Sequence, residues 1–220
     1  MLVATAALDP RCELFLLDGK RVELAYWRGA AKAMAGERLS DAISVLSEIQ
    51  AGMNVRYARL EEERRRKVIP EDDMPLQVVV CDELAYYLTM SDRNEKRDFT
   101  GLARDIVARG RAVGIIFLAA TQKPSHEIIP TSLRDLFAFR WALRCTTPDA
   151  SDTILGAGWA SRDYSASFID SDHHGVGYLL AEGGLPRRIK SFYLADDDLE
   201  ALSARAEVLR KEAKPLQSVA

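Results

Sequence analysis

The chain is predicted to be α/β, with helices layered on a mostly parallel sheet. Three observations lead there. Leu-Phe-Leu-Leu at 14–17, Val-Val-Val-Cys at 78–81 and Ile-Ile-Phe-Leu-Ala-Ala at 115–120 are apolar throughout, the pattern of strands buried on both faces. The segments between them carry helical periodicity, and strands alternating with helices make a parallel sheet. Each apolar run also stops at polar residues: Asp18, then Asp82 and Glu83, then Thr121 and Gln122. Parallel sheets bind their ligands at the carboxyl ends of strands.

Residues 13–18 are the first strand, broken by Gly19-Lys20. A long helix is expected over about 39–66. Ile43, Leu46, Ile49, Met53, Tyr57 and Leu60 recur at steps of three and four and make one apolar face. Ser40 and Asp41 are residue types that cap a helix start. The charge run from Glu61 to Lys67 reads as a solvated helix end, and 70–75 as an acidic loop. The strand at 77–83 follows, then a helix over about 95–109 carrying Phe99, Leu102, Ile106 and Val107. The strand at 115–120 comes next, and 136–144 reads as another strand containing Arg140 and Arg144. Residues 176–181 and 187–194 form a hairpin across Glu182-Gly183-Gly184-Leu185-Pro186. An amphipathic helix spans 196–213, and the last few residues are expected to be loose.

The totals bound the function. A chain of 220 residues is long enough for one domain with a sizeable core. No apolar run approaches the ~18 residues of a membrane span. A net charge of -3 argues against a generally basic nucleic-acid coat while leaving room for local basic patches. Cys12, Cys81 and Cys145 lie in apolar runs and read as reduced thiols of a cytoplasmic protein. His126, His173 and His174 lack partners at zinc-like spacing and receive no role. Trp27, Trp141 and Trp159 read as packing residues.

The strand at 77–83 carries the chemistry. It ends in adjacent carboxylates, Asp82 and Glu83, which are expensive to bury unless something uses them. In nucleoside triphosphatases such a pair has a use: the Asp holds Mg²⁺ through its water shell and the neighbouring acid orients or activates the attacking water. The competing reading is a strand running out into a polar loop.

Five segments in order resemble the motor domain of the FtsK/SpoIIIE family of DNA translocases, which includes the TraB-type plasmid-transfer proteins of actinobacteria. Residues 16–24, Leu-Leu-Asp-Gly-Lys-Arg-Val-Glu-Leu, are similar to the family's strand–Asp–x–Lys–x–x–Glu–Leu segment. Residues 78–85 resemble its Walker B strand. Residues 108–115 resemble its Ala-Arg-Ala-x-Gly-Ile/Val run. Residues 118–124, Leu-Ala-Ala-Thr-Gln-Lys-Pro, resemble its Ala-Thr-Gln-Arg-Pro signature, with Lys123 where Arg is usual. Residues 149–156 resemble its Asp-Ser-x-Thr-Ile-Leu segment. The match covers roughly 10–195.

The resemblance implies a RecA-like P-loop NTPase fold of three layers, with residues 1–195 as a partial motor and 196–220 as a C-terminal helix and tail. It implies ATP and Mg²⁺ as cofactors, Asp82 as the carboxylate that holds Mg²⁺ through water, and Glu83 as catalytic base. Gln122, with Thr121, would sense the γ-phosphate. Arg111 would be the arginine finger offered to a neighbouring subunit, Arg140 a second choice, and Arg144 and Lys123 surface or DNA-facing residues. Double-stranded DNA would be the partner, threaded through a homo-hexamer, with contacts to backbone phosphates. No membrane contact is expected from this chain, although full-length relatives can be anchored.

One part of the pattern is missing. No Gly-x-x-x-x-Gly-Lys-Ser/Thr occurs in the chain, and the single Gly-Lys, at 19–20, is followed by Arg21. In the family the phosphate loop precedes the segment that begins here, and residues 1–8 resemble the later turns of the helix after that loop. The strand bearing the loop sits between those at 115–120 and 136–144. Without it those two strands close up directly, accept a piece from another chain such as a full-length relative, or belong to a polypeptide that begins further upstream. The last is the expectation. Three functions follow: the C-terminal part of an ATP-driven DNA translocase for chromosome segregation or conjugation, inactive alone; an FtsK-like type VII secretion ATPase domain that moves proteins; or a non-hydrolysing fragment that modulates a full-length hexamer.

Overall fold

A computed structural model of the protein describes residues 1–213 and contains two compact units. One comprises residues 2–121 together with the chain from Leu194 onward; the other comprises Gln122–Tyr193 with Met1. The expected loose tail lies outside the described residues.

The larger unit is built on a four-stranded sheet of β1 (Cys12–Leu17), β2 (Ala33–Ala35), β3 (Leu76–Cys81) and β4 (Ile115–Ala119). Its order is β2-β1-β3-β4 and every pairing is parallel. The apolar runs alternate their side chains between two covered faces. Leu14, Leu16, Val78 and Val80 meet α1 (Leu2–Leu8), α7 (Asp196–Glu212) and the 3-10 turn Ala25–Ala30, with Trp27 and Ala206 in the same cluster. Phe15, Leu17, Val79 and Cys81 are equally buried on the opposite face. On that side α2 (Leu39–Glu62) and α4 (Arg93–Arg109) pack against each other and against β2 and β4 respectively. This is the expected three-layer α/β arrangement.

Ends of elements follow from their side chains. Asp92 caps α4 by accepting from the backbone N–H groups of Asn94 and Glu95 at 2.8 and 2.9 Å. The start of α2 differs from expectation. Its N-cap is Arg38, without a side-chain bond, and Ser40 and Asp41 lie inside the first turn, where Asp41 pairs with Arg38 Nε at 3.0 Å. The helix also ends at Glu62, before the charge run is finished.

The smaller unit holds α5 (Thr131–Arg134), α6 (Pro148–Leu155) and an antiparallel sheet of β5 (Phe139–Leu143), β6 (Val176–Ala181) and β7 (Arg187–Lys190), in the order β5-β6-β7. The β6–β7 hairpin is as expected, its turn using Glu182 and Gly183 at positive φ. Among the described residues β5 pairs with β6, antiparallel, in a sheet separate from that of β1 to β4. One face, with Ala142, Val176 and Leu180, packs on Leu155, Ala166 and Ile169. Phe139 and Leu143, on the other face, are exposed. Among the described residues no helix is long and apolar enough to cross a membrane.

One side chain adds hydrogen bonds to the packing of α7 on α1. Arg210 on α7 donates to the carbonyls of Ala6 (3.1 Å), Ala7 (3.1 Å) and Cys12 (2.7 Å). The first two belong to the last turn of α1, whose carbonyls have no partner within the helix. Arg210→Ala is expected to lower the unfolding free energy by about 2–3 kcal/mol, the scale of lost hydrogen bonds to a charged donor. Arg210→Lys should recover less than half of it. An unchanged urea midpoint for Arg210→Ala would refute this role.

Candidate functional site

The register of the parallel sheet sets Leu17, Cys81 and Ala119 side by side. One residue further on come Asp18, Asp82 and Ala120, followed by Glu83 and Thr121. The ladder continues past the strand ends: Asp82 N–H donates to Leu17 O at 3.1 Å, Ala120 N–H to Cys81 O at 2.9 Å and Leu84 N–H to Ala120 O at 2.8 Å. Three segments far apart in sequence therefore deliver their polar residues to one edge.

The carboxylates there have different surroundings. Asp18 is wholly buried and turns into its own loop, accepting from Arg21 N–H at 2.8 Å and Leu24 N–H at 3.0 Å. It anchors the loop at 18–24. Glu83 caps α3 (Leu84–Leu88), its Oε1 accepting from Ala85 N–H at 3.2 Å. The same Oε1 accepts a 2.6 Å bond from the Thr121 hydroxyl. A bond this short to a carboxylate oxygen is a strong one, and it fixes Glu83 between two strands.

Asp82 is the carboxylate with no hydrogen bond among the described residues, and it is half-buried. Burial pushes its pKa up, and the negative charges of Glu23, Asp18 and Glu83 push the same way against the single counter-charge of Lys20. The carboxylates of Asp18, Asp82 and Glu83 do not gather into a three-ligand cluster. An excess of negative charge around one available carboxylate fits a hard divalent cation held through one oxygen and water.

The other expected residues lie elsewhere. Arg111 is exposed in the 3-10 turn Gly110–Val113, before β4 begins, whereas Thr121 follows its end. The length of β4, about 16 Å, separates them, so Arg111 does not serve the Glu83 of its own chain. Gln122, exposed, opens the smaller unit. Arg140 is occupied within that unit, donating to Phe137 O at 3.0 Å and lying 3.5 Å from Asp135. Arg144 donates to Ile169 O at 3.2 Å. Lys123 lines a depression of about 380 Å³ with Pro124, Ile128, Asp149 and Thr153. His173 stands with exposed Asp170 and Asp172, but the Arg188 guanidinium also lies 3.5 Å from its Nδ1. Trp27 is buried in the core and Trp159 packs on Tyr164 and Arg162.

Sequence reasoning missed two features of the site. Lys20 and Glu23 supply charge to Asp82, although both stand in the segment following β1 that the sequence singles out. Tyr86 and Tyr87 on α3 donate their hydroxyls to the carbonyls of Glu37 (3.3 Å) and Gly36 (2.7 Å). The paired tyrosines immediately after the carboxylates were their only signal.

No protein-family model matches the chain. Individual proteins do. The chain is 28% identical over 221 aligned positions to the DNA translocase FtsK of Lactococcus lactis subsp. cremoris, covering 89% of this chain and 27% of that protein. It is 29% identical over 209 positions to the DNA translocase FtsK of Chlorobaculum tepidum, covering 86% and 24%. Among solved structures, the monomer form of the pCW3 conjugation coupling protein TcpA aligns with a TM-score of 0.75 at 18% identity, over 90% of this chain and 57% of that one. The cytoplasmic domain of the Thermomonospora curvata type VII secretion ATPase EccC aligns at 0.72 and 21% identity, over 99% and 26%. These likenesses show the P-loop NTPase type of α/β fold. The chain spans about a quarter of the length of the curated relatives it matches.

The electrostatics of Asp82 can be tested directly. The folded state holds the Asp82 proton more tightly than the unfolded state does. Stability from this group is therefore full below its ordinary pKa and is lost as pH rises through the raised one. Asp82→Asn is expected to raise the melting temperature at pH 7 in metal-free buffer by about 2 °C, on the order of half a kcal/mol. The gain should vanish toward pH 3. A variant less stable than the parent at pH 7 would contradict the assignment.

Proposed function

We propose that this chain, related over most of its length to FtsK-type DNA translocases, is the C-terminal part of an ATP-driven motor domain that moves double-stranded DNA, in chromosome segregation or conjugative plasmid transfer. The observation that carries the proposal is the joint placement of Asp82 and Glu83 at the carboxyl edge of a parallel sheet, with Glu83 locked to Thr121 from the adjacent strand.

In this reading Asp82 holds Mg²⁺ through water. The ion, when bound there, would supply positive charge against the negative charge that develops during phosphoryl transfer. Glu83 orients the attacking water and takes up its proton. Thr121 keeps the Glu83 carboxylate at a fixed height above the sheet, so that β4 and the catalytic base move together. Gln122, the next residue, senses the γ-phosphate. Arg111, at the far end of β4, acts on the site of a neighbouring subunit in a ring. That location supports a role in trans, because the length of β4 separates it from its own Glu83. The phosphate loop is supplied by an adjoining segment or by a full-length partner. The location is cytoplasmic, and DNA is contacted through its phosphates.

The likeness to EccC keeps protein transport as a second reading, and DNA dependence separates the two. Alone, the chain is expected to show no ATP turnover above background. Joined to a strand and phosphate loop from a translocase relative, it should hydrolyse ATP, with stimulation by duplex DNA. Glu83→Gln should reduce that turnover by about 10²-fold or more, and Thr121→Val by a smaller factor that Thr121→Ser restores. Turnover by the chain alone that Glu83→Gln abolishes would overturn the dependence on a supplied phosphate loop. Turnover indifferent to DNA but raised by a secretion-signal peptide would favour the second reading.

A further inference from the structure

A second feature lies at the same edge of the larger sheet, beyond β2. Arg21, Arg28 and Arg38, with Gly36, Glu37 and Asp41, surround a depression of about 350 Å³. Three guanidiniums face two carboxylates there. Asp41 is engaged by Arg38 at 3.0 Å. Arg21 and Arg28 make no side-chain hydrogen bond or ion pair among the described residues, and both are exposed.

The cleft is built rather than incidental. Arg21 adopts φ +62, a left-handed conformation that non-glycine residues take only where their surroundings enforce it. The enforcing group is the buried Asp18 carboxylate, which accepts from Arg21 N–H at 2.8 Å, while Asp18 O accepts from the same N–H at 3.1 Å. The aliphatic stem of Arg21 runs along Gly36: a Cβ at that position would meet Arg21 Cγ at 3.4 Å and Cδ at 3.5 Å. The cleft's far wall begins α2, whose N-cap Arg38 provides no side-chain acceptor for the first-turn N–H groups. The Tyr86 and Tyr87 hydroxyls hold the carbonyls of Glu37 and Gly36, so the wall at 36–37 is tied to the element that follows Asp82 and Glu83.

We propose that this cleft binds a phosphate-bearing anion, with Arg21 and Arg28 as its principal ligands. Guanidinium forks match phosphate oxygens in bidentate geometry. The chemistry suits either a phosphodiester of a nucleic-acid backbone or the phosphates of a free nucleotide. The site is separate from Asp82 and Glu83 and does not depend on the function proposed above.

The test uses the chain as it stands. A labelled DNA duplex is titrated by fluorescence anisotropy over a range of salt, and inorganic tripolyphosphate by calorimetry. The proteins are the parent, Arg21→Gln/Arg28→Gln, the single variant Arg28→Glu, and Arg97→Gln as a control for an exposed arginine on α4. Loss of two charge-assisted contacts is expected to weaken binding about tenfold or more. A duplex affinity that falls with a salt slope shallower by about two phosphates, with tripolyphosphate unbound, identifies the nucleic-acid backbone. Weakened tripolyphosphate binding with duplex binding unchanged identifies a free phosphate ligand. The proposal is overturned if the parent binds neither probe, if the Arg21 and Arg28 variants bind as the parent does, or if Arg97→Gln loses as much.

Discussion

The register of β1, β3 and β4 is the constraint on which the site depends. With Leu17, Cys81 and Ala119 level across three parallel strands, the residues after them emerge at one height. A slip of one residue would exchange the two faces of a strand. Both faces are covered, so a slip in β3 would drive Asp82 toward packed side chains. The core is thus also the jig for the chemistry: Val78 and Val80 on one side, Val79 and Cys81 on the other, leave one position at which the first carboxylate can stand.

Once placed, the polar residues separate by what each can find. Asp18 finds backbone donors and becomes structural. Glu83 finds the start of α3 and the Thr121 hydroxyl and becomes oriented. Asp82 finds other negative charges and little else, which makes it receptive to a cation. The loop at 18–24 takes part on both sides: its buried Asp18 shapes it, Lys20 and Glu23 act on Asp82, and Arg21 is turned outward toward the arginine cleft. A single buried carboxylate therefore organises two neighbouring surfaces with opposite charge preferences.

Much of this was legible in the sequence. The three parallel strands could be read to within a residue or two because burial on both faces leaves an uninterrupted apolar signature. Asp82 and Glu83 could be read because paired acids after such a strand need a reason. Other features leave weak traces. β2 is the three residues Ala33–Ala35, too short and too poor in branched side chains to register. Ser40 and Asp41 suggest the cap of α2 by residue type, whereas the N-cap is Arg38 and the helix begins at Leu39, which is drawn into the core. Residues 139–143 alternate between a packed face and an exposed one, the mark of an antiparallel strand, but the charged Arg140 and Arg144 obscured it. The Thr121–Glu83 bond joins positions 38 apart and exists only in one register of β3 against β4, which local sequence does not specify.

The cysteines turn this architecture into a clock. Cys81 is fully buried in the middle strand and Cys12 starts the strand beside it, while Cys145 lies half-buried in the other unit. Burial raises the pKa of all three thiols, so each is less nucleophilic than an exposed thiol. The rate at which an alkylating reagent marks Cys81 then counts openings of the sheet that carries Asp82, while the half-buried Cys145 gives a labelling rate that needs no such opening. Mass spectrometry of a timed alkylation would resolve the two rates in a single unmodified sample, with Asp82 one residue from the reporter of opening.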